Sequence, residues 1–190
     1  MNCNQCHAAK DFVRTVQLSV DDLIYAESMV SAGTKDRACI FERYMSEIMP
    51  VLRLGAFLSG NILNYSSYEP ILKLAGGVEN NLEESISELH RAKKQCGRFR
   101  SSAEDMEHSA LTSKRVCERL TDDMRMTEIS ERLGCDYLRY MICLLEGAVR
   151  LSENALSYEM CDAAVEPVRA VSKNCRELLH DMKRLLAVTE

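Results

Sequence analysis

The residue types best suited to chemistry stand together near the start of the chain, as Cys3-Asn4-Gln5-Cys6-His7. This spacing has the letters of a c-type haem attachment, C-x-x-C-H. Haem attachment normally requires export. The stretch MNCNQCHAAKDF has neither the basic nor the apolar region of a secretory signal, so haem is not expected. Two thiols and an imidazole also make half of a tetrahedral zinc or copper(I) site. No second Cys-x-x-Cys follows, so the remaining ligands would have to come from another segment or another chain. The plain alternative is a pair of thiols in a loose terminus.

Further along, Glu177-Leu178-Leu179-His180 has the Glu-x-x-His step of di-iron carboxylate bundles, and Asp105-Met106-Glu107-His108 comes near it. Helical geometry argues against both. Glu177 and His180 lie about 100° and about 200° around a helix from Leu178, and His108 lies about 200° from Met106. These side chains should face water, whereas bundle metal ligands face inward. Cys117, Cys143, Cys161 and Cys175 fall in or beside apolar helical stretches. Buried cysteine acts by default as a small hydrophobe, although core thiolates such as those of Cys143 and Cys175 could hold a soft cation. Nucleophilic catalysis needs a thiol or hydroxyl beside a base and an orienting group. The chain has 4 His, three of them on polar helix faces, no phosphate-cradling glycine loop and no G-x-S-x-G turn. An enzyme is not expected.

The elements that would position these residues are announced by a repeated phrase. LSGNILNY at 58–65 returns as LSENALSY at 151–158. The shift that carries Tyr65 onto Tyr158 also carries Tyr44 onto Tyr137, Ile48 onto Met141, Val51 onto Leu144 and Leu58 onto Leu151, without a gap. The first seam reads Phe41, Tyr44, Ile48, Val51, Gly55, Leu58, Ile62, Tyr65. The second reads Gly134, Tyr137, Met141, Leu144, Ala148, Leu151, Ala155, Tyr158. Alternating steps of three and four mark one face of a bundle helix. Where one copy is bulky the other is often small, as facing core layers require.

Each copy continues into Glu-Pro, at Glu69-Pro70 and Glu166-Pro167, with a connection four residues longer in the second copy. Proline suits the first turn of a helix, so a returning helix is expected to start at each. Its seam is Ile71, Leu74, Val78, Leu82 and Leu89 in copy one, where Gly76-Gly77 should weaken or break it. In copy two it is Val168, Val171, Cys175, Leu178, Met182 and Leu185. A single αα-hairpin cannot bury both of its seams, but two can close a four-helix core. Pro50 should kink the first long helix or begin a new one. Ser19 with Asp22 and Ser102 with Asp105 are capped helix starts. The first leads an apolar face that ends at Gly33. The second leads a seam of Ala103, Met106, Ala110, Cys117, Leu120 and Met124.

The second copy carries Met141-Ile142-Cys143-Leu144-Leu145-Glu146-Gly147-Ala148-Val149, followed by Tyr158, Asp162 and Met182. This resembles the family catalogued as domain of unknown function 305, whose phrase is Met-Ile-Pro-His-His-Glu-Gly-Ala-Ile. The resemblance covers residues 135–187 well and 40–90 faintly, where Met49-Pro50 keeps the family proline. It implies a ferritin-like helical bundle. The family's paired His and nearby Met suit a metal role, and some members are linked to copper. Here the pair is Val51-Leu52 in one copy and Leu144-Leu145 in the other, and the Met is Leu58 and Leu151. Aliphatic side chains cannot ligate a metal. The resemblance therefore implies the fold with its metal site lost.

Bulk properties set the remaining limits. A chain of 190 residues with 46% hydrophobic and 28% charged residues can bury a sizeable core. Gly and Pro are scarce, which favours helix over a turn-rich β fold. A net charge of −5 disfavours nucleic acid, and Arg91, Lys93, Lys94, Arg98 and Arg100 read as a solvated helix end. No apolar run reaches the roughly 18–20 residues that cross a membrane. The chain is expected to be cytoplasmic, with its 9 cysteines mostly thiols.

The expectation is an all-α protein of six or seven helices, an antiparallel bundle of two αα-hairpin repeats with a ferritin-like up-down four-helix core. Its parts are an N-terminal segment at 1–18, a helix at 19–33, the first hairpin at 34–96, a connecting helix at 97–130 and the second hairpin at 131–190, in one compact domain. The expected role is a non-catalytic interaction or structural module, dimerising or binding a protein partner through a leftover apolar face. The alternative is a zinc- or copper(I)-binding or storage protein using Cys3, Cys6 and His7. Cys143, Cys175, Glu177 and His180 are weaker ligand candidates.

Overall fold

A computed structural model describes residues 10–18, 21, 39–97, 99–130 and 132–189. Five long helices follow one another: α1 (Ile40–Ile62), α2 (Glu69–Gln95), α3 (Ala103–Met126), α4 (Leu133–Leu156) and α5 (Asp162–Thr189). No strand occurs among the described residues. The chain is an all-α bundle. Residues 10–18 are also helical, and Phe12 and Val16 from that segment are fully buried. The helix expected at 19–33 lies outside the described residues, apart from Asp21, which is helical.

α1 with α2, and α4 with α5, form the two hairpins. α1 also packs on α4 and α2 on α5, closing a four-membered ring, while α3 lies mainly against α4. Tyr44, near the start of α1, meets Ser152, near the end of α4, and Ser59 meets Tyr137 in the same crossed way. α1 and α4 are therefore antiparallel, and every neighbouring pair in the ring runs antiparallel. Both repeated seams line the core. Phe41, Tyr44, Ile48, Val51, Leu58 and Ile62 are buried in α1, as are Tyr137, Met141, Leu144, Ala148, Leu151 and Ala155 in α4. Tyr65, beyond the end of α1, is exposed.

Helix ends follow local chemistry. The Ser102 hydroxyl accepts from the Asp105 N–H at 3.0 Å, which caps α3 as its sequence predicts. α1 has no side-chain cap from its own N-cap residue. The Ile40 N–H instead donates to Ser101 Oγ at 3.0 Å, so the α2–α3 link satisfies one of its orphan donors. Gly97, with φ of 55°, turns the chain out of α2.

Several expectations are corrected. α1 runs unbroken through Pro50, so no new helix begins there. α2 starts at Glu69, with Pro70 in its first turn as expected, but continues through Gly76-Gly77. Ile71, Ala75, Val78, Leu82 and Leu89 anchor it on both sides of the pair, and tertiary burial outweighs the local cost of two glycines. In the second copy the helix does not wait for Pro167. α5 starts at Asp162, and Pro167 lies inside it. The extra residues extend the helix rather than the connection. Pro167 removes one hydrogen bond, the one to the Ala163 carbonyl, and burial of Ala164 and Val168 offsets it. In α3 the expected seam holds only at Cys117, Leu120 and Met124. Ala103 is exposed, Met106 and Ala110 are half-buried, and Ser109 and Ser113 are buried in their place.

Among the described residues no helix is long and apolar enough to cross a membrane.

Candidate functional site

The interior of the bundle is where a ferritin-like protein would hold a metal. Here Val51, Leu52, Leu144 and Leu145 occupy it, each buried and aliphatic, with Leu58 and Leu151 beside them. Neighbouring side chains close over two glycines of these helices. A Cβ on Gly55 would lie 2.8 Å from Leu82 Cδ1 and 3.4 Å from Met141 Cε. A Cβ on Gly147 would lie 2.9 Å from Leu120 Cδ2, so the Glu146-Gly147-Ala148 step is the place where α3 seats against α4.

Besides the buried Arg43–Glu47 ion pair and the buried Asp136 carboxylate, which accepts from Ser130, the core holds hydroxyls and one amide. Tyr44 Oη lies 2.9 Å from Ser152 Oγ. The Ser152 hydroxyl donates to the Ala148 carbonyl at 2.8 Å, so Tyr44 is the donor in its pair with Ser152. Tyr137 Oη lies 2.9 Å from Ser59 Oγ. Desolvation pushes both phenols well above their ordinary range, and the serine partners oppose this only partly. Asn154 donates from Nδ2 to the Ser109 carbonyl at 3.0 Å and to Ser113 Oγ at 2.9 Å, which pins α3 to α4. The two tyrosine–serine pairs and the Asn154 amide thus hydrogen-bond within the core.

The cysteines are dispersed. Cys175 is fully buried, and desolvation pushes its thiol up to about 12. Cys143 is half-buried, 3.7 Å from Thr127 Oγ1, and burial raises its thiol too. Cys39, Cys117 and Cys135 are further buried thiols. Cys161, read from sequence as a core thiol, is instead joined to Cys96 in a disulfide with a Cα–Cα distance of 5.5 Å. The pairing follows from topology: antiparallel packing of α2 and α5 brings the end of one beside the start of the other. Among the described residues no three His, Cys, Asp or Glu side chains converge in a group that could hold a metal ion. Cys3, Cys6 and His7 lie outside the described residues.

Glu177 and His180 are both exposed, and Glu177 pairs with Lys173. His108 is exposed, and Asp105 is engaged in the α3 cap. Of the basic run, Arg91 pairs with Glu88, Lys93 and Lys94 sit in the last turn of α2, and Arg98 lies outside the described residues.

Sequence reasoning missed a surface feature. A groove of about 690 Å³ opens between the first half of α2 and the last half of α5, with Leu74, Gly77, Leu178 and Leu185 in its lining. A smaller one, about 510 Å³, lies between α1 and α2 beside Phe57 and Glu79. The steps Pro70, Leu74, Gly77 on one helix and Leu178, Leu185 on the other were the available signal for the first groove.

No family model matches the chain, and no curated protein matches it. A solved structure does: the crystal structure of a DUF305 fragment from Deinococcus radiodurans superposes with a TM-score of 0.57 at 16% identity, covering 80% of this chain and 98% of that one. The resemblance read in the second repeat is thus joined by a shared fold over 80% of this chain, which has the architecture of a DUF305 helical domain.

Proposed function

We propose that this chain is a non-catalytic interaction or structural module, a helical bundle whose core has replaced metal-ligand positions with packed aliphatic side chains. The observation that carries the reading is the burial of Val51, Leu52, Leu58, Leu144, Leu145 and Leu151 at the positions where the family phrase has its His pairs and Met. A site for a metal needs donors and room, and these side chains supply neither. The raised Cys175 and Cys143 thiols support it as well, since a metal binds the thiolate. The alternative, a soft-metal protein, rests on the Cys3, Cys6 and His7 spacing alone. Titration with copper(I) and zinc against competing chelators separates the two. Full-length protein and a variant truncated before Lys10 should behave alike under the proposed role. Tight binding by the full chain that truncation abolishes would make the terminus a metal site and replace this reading.

A further inference from the structure

The two hairpins differ at one matched pair of positions. The shift that superposes the two LSxN phrases sets Gly60 on Glu153, and the shift that superposes the two Glu-Pro steps sets Glu79 on Arg176. In the second hairpin these positions form an ion pair, with Arg176 donating from Nη2 to Glu153 across the α4–α5 seam. In the first hairpin the same two positions meet again, but the pair is incomplete. Gly60 brings no side chain, and the Glu79 carboxylate lies over its bare backbone, so that a Cβ on Gly60 would stand 2.5 Å from Glu79 Oε1. Glu79 is half-buried and makes no hydrogen bond or ion pair with any described residue. A carboxylate withdrawn from water without a donor carries a desolvation cost that an opposite charge would offset.

The surroundings of Glu79 suit a cation. The groove of about 510 Å³ between α1 and α2 runs from Asn61 and Glu79, past Phe57 and Glu83, to Arg53 and Ile86. Glu83, one turn along from Glu79, is also unpaired among the described residues. Asn61 Oδ1 is buried and accepts from no described group. Phe57 is 51% exposed and Ile86 half-buried. Arg53 supplies a positive charge to the lining, about 10 Å along α1 from Gly60. Two carboxylates against one guanidinium leave one negative charge unmet, at the Glu79 end.

We infer that this groove receives an arginine side chain from a partner protein, seated between the Gly60 backbone and the Glu79 carboxylate. The inference rests on the interaction-module role and names the chemistry of the partner. Guanidinium with carboxylate is the pair that the fold itself builds at this level of the second hairpin. The first hairpin keeps a carboxylate, now on the returning helix, and lacks the cation. An ammonium is a point charge, whereas a guanidinium presents several donors in a fixed fork. This end of the groove holds two acceptors without donors, Glu79 and Asn61, and an exposed aromatic face beside them, on which a guanidinium stacks. The open apolar surface of Phe57 and Ile86 selects a side chain of a protein segment over a free ion, because apolar neighbours in the same segment cover it. Arg53 at the far end repels a second cation. The partner segment therefore carries a single arginine flanked by apolar residues.

Titration of the full chain with the blocked peptide acetyl-Leu-Ala-Arg-Leu-amide, with chelator present and amide chemical shifts as the readout, tests this. Wild type should show saturable shifts at Gly60, Asn61 and Glu79. The same peptide with citrulline for arginine keeps the shape and loses the charge, and it should bind at least about ten-fold more weakly. Glu79→Gln should lose a similar factor. Gly60→Glu/Glu79→Arg rebuilds the ion pair of the second hairpin inside the first. It should melt no lower than wild type and should not bind; if it fails to fold, Glu79→Gln decides. The inference is overturned by the absence of saturable shifts in wild type, by equal binding of the arginine and citrulline peptides, or by Glu79→Gln or a folded Gly60→Glu/Glu79→Arg binding as wild type does. Free arginine amide binding as tightly as the peptide also overturns it, since the groove would then be a small-molecule site. These outcomes leave the metal question untouched, because stoichiometric metal would overturn the underlying role whatever the peptide does.

Discussion

Tyr44 reaches across the core to Ser152, hydroxyl to hydroxyl at 2.9 Å. The same contact is made a second time, by Tyr137 and Ser59, also at 2.9 Å. The sequence shift that carries Tyr44 onto Tyr137 carries Ser59 onto Ser152. Each repeat therefore supplies a tyrosine to the serine of the other repeat's LSxN phrase. This is why the phrase occurs twice: it is the receiving half of a reciprocal contact between two antiparallel helices.

The hydrogen-bond directions make the pair asymmetric under mutation. Tyr44→Phe leaves Ser152 still donating to the Ala148 carbonyl, so it should cost about 1 kcal/mol. Ser152→Ala strands a buried phenol and should cost more, about 1–3 kcal/mol. The double variant should cost less than the sum of the two. A double-mutant cycle by urea denaturation measures the coupling, and strict additivity would mean that the contact contributes nothing.

Glycines in this bundle should respond in opposite directions. Gly147→Val drives a side chain into Leu120 and should destabilise by about 1–3 kcal/mol, loosening α3 from α4. Gly76→Ala, at a position with open space, should stabilise the protomer by about 0.5–1 kcal/mol. Thermal melts at low protein concentration separate the two classes.

The Cys96–Cys161 bond ties the end of the first hairpin to the start of α5, across 65 residues of sequence. Its loss through Cys96→Ser with Cys161→Ser should lower stability by about 2–4 kcal/mol. Reductant should do the same to wild type and nothing further to the double variant. Equal midpoints for wild type and double variant under oxidising conditions would contradict this.

Burial of ionisable groups sets an alkaline limit. Cys175 is pushed from its ordinary value of 9.0 up to about 12 by desolvation, and Tyr44 and Tyr137 are raised above 10.0 for the same reason. A raised folded-state pKa contributes stability that is fully present below the unfolded value and is lost as the pH climbs. Stability should be flat below the ordinary thiol value and then decline, each group contributing a slope of about 1.4 kcal/mol per pH unit. Cys175→Ala should remove the earliest part of that decline. A denaturation series from neutral to strongly alkaline pH measures it.

Much of the bundle was legible in the sequence because its helices obey simple periodicity. Tyr44 through Ile62 and Tyr137 through Ala155 fall on the core face as their spacing dictates. What was not legible depends on tertiary context. Pro167 and Gly76-Gly77 look like helix boundaries locally, yet burial on either side carries α5 and α2 through them. Ser109 and Ser113 look like solvent residues, yet Asn154 buries them. The Cys96–Cys161 pairing requires knowing that α2 and α5 run antiparallel. Of the candidate ligands, Glu177 and His180 were placed on the exposed face by angle alone, and they lie there. The groove beside Gly77 is formed by two helices from different repeats, so neither repeat announces it alone.

The central claim is that the bundle works without a metal. Elemental analysis of the full chain, purified anaerobically and without chelator, tests it most directly, with a Cys3→Ser/Cys6→Ser variant alongside. The account predicts no stoichiometric zinc, copper or iron in either sample. Stoichiometric metal in wild type that the variant lacks would contradict it and assign the site to the terminal cysteines. Metal retained by both would contradict it through the bundle itself.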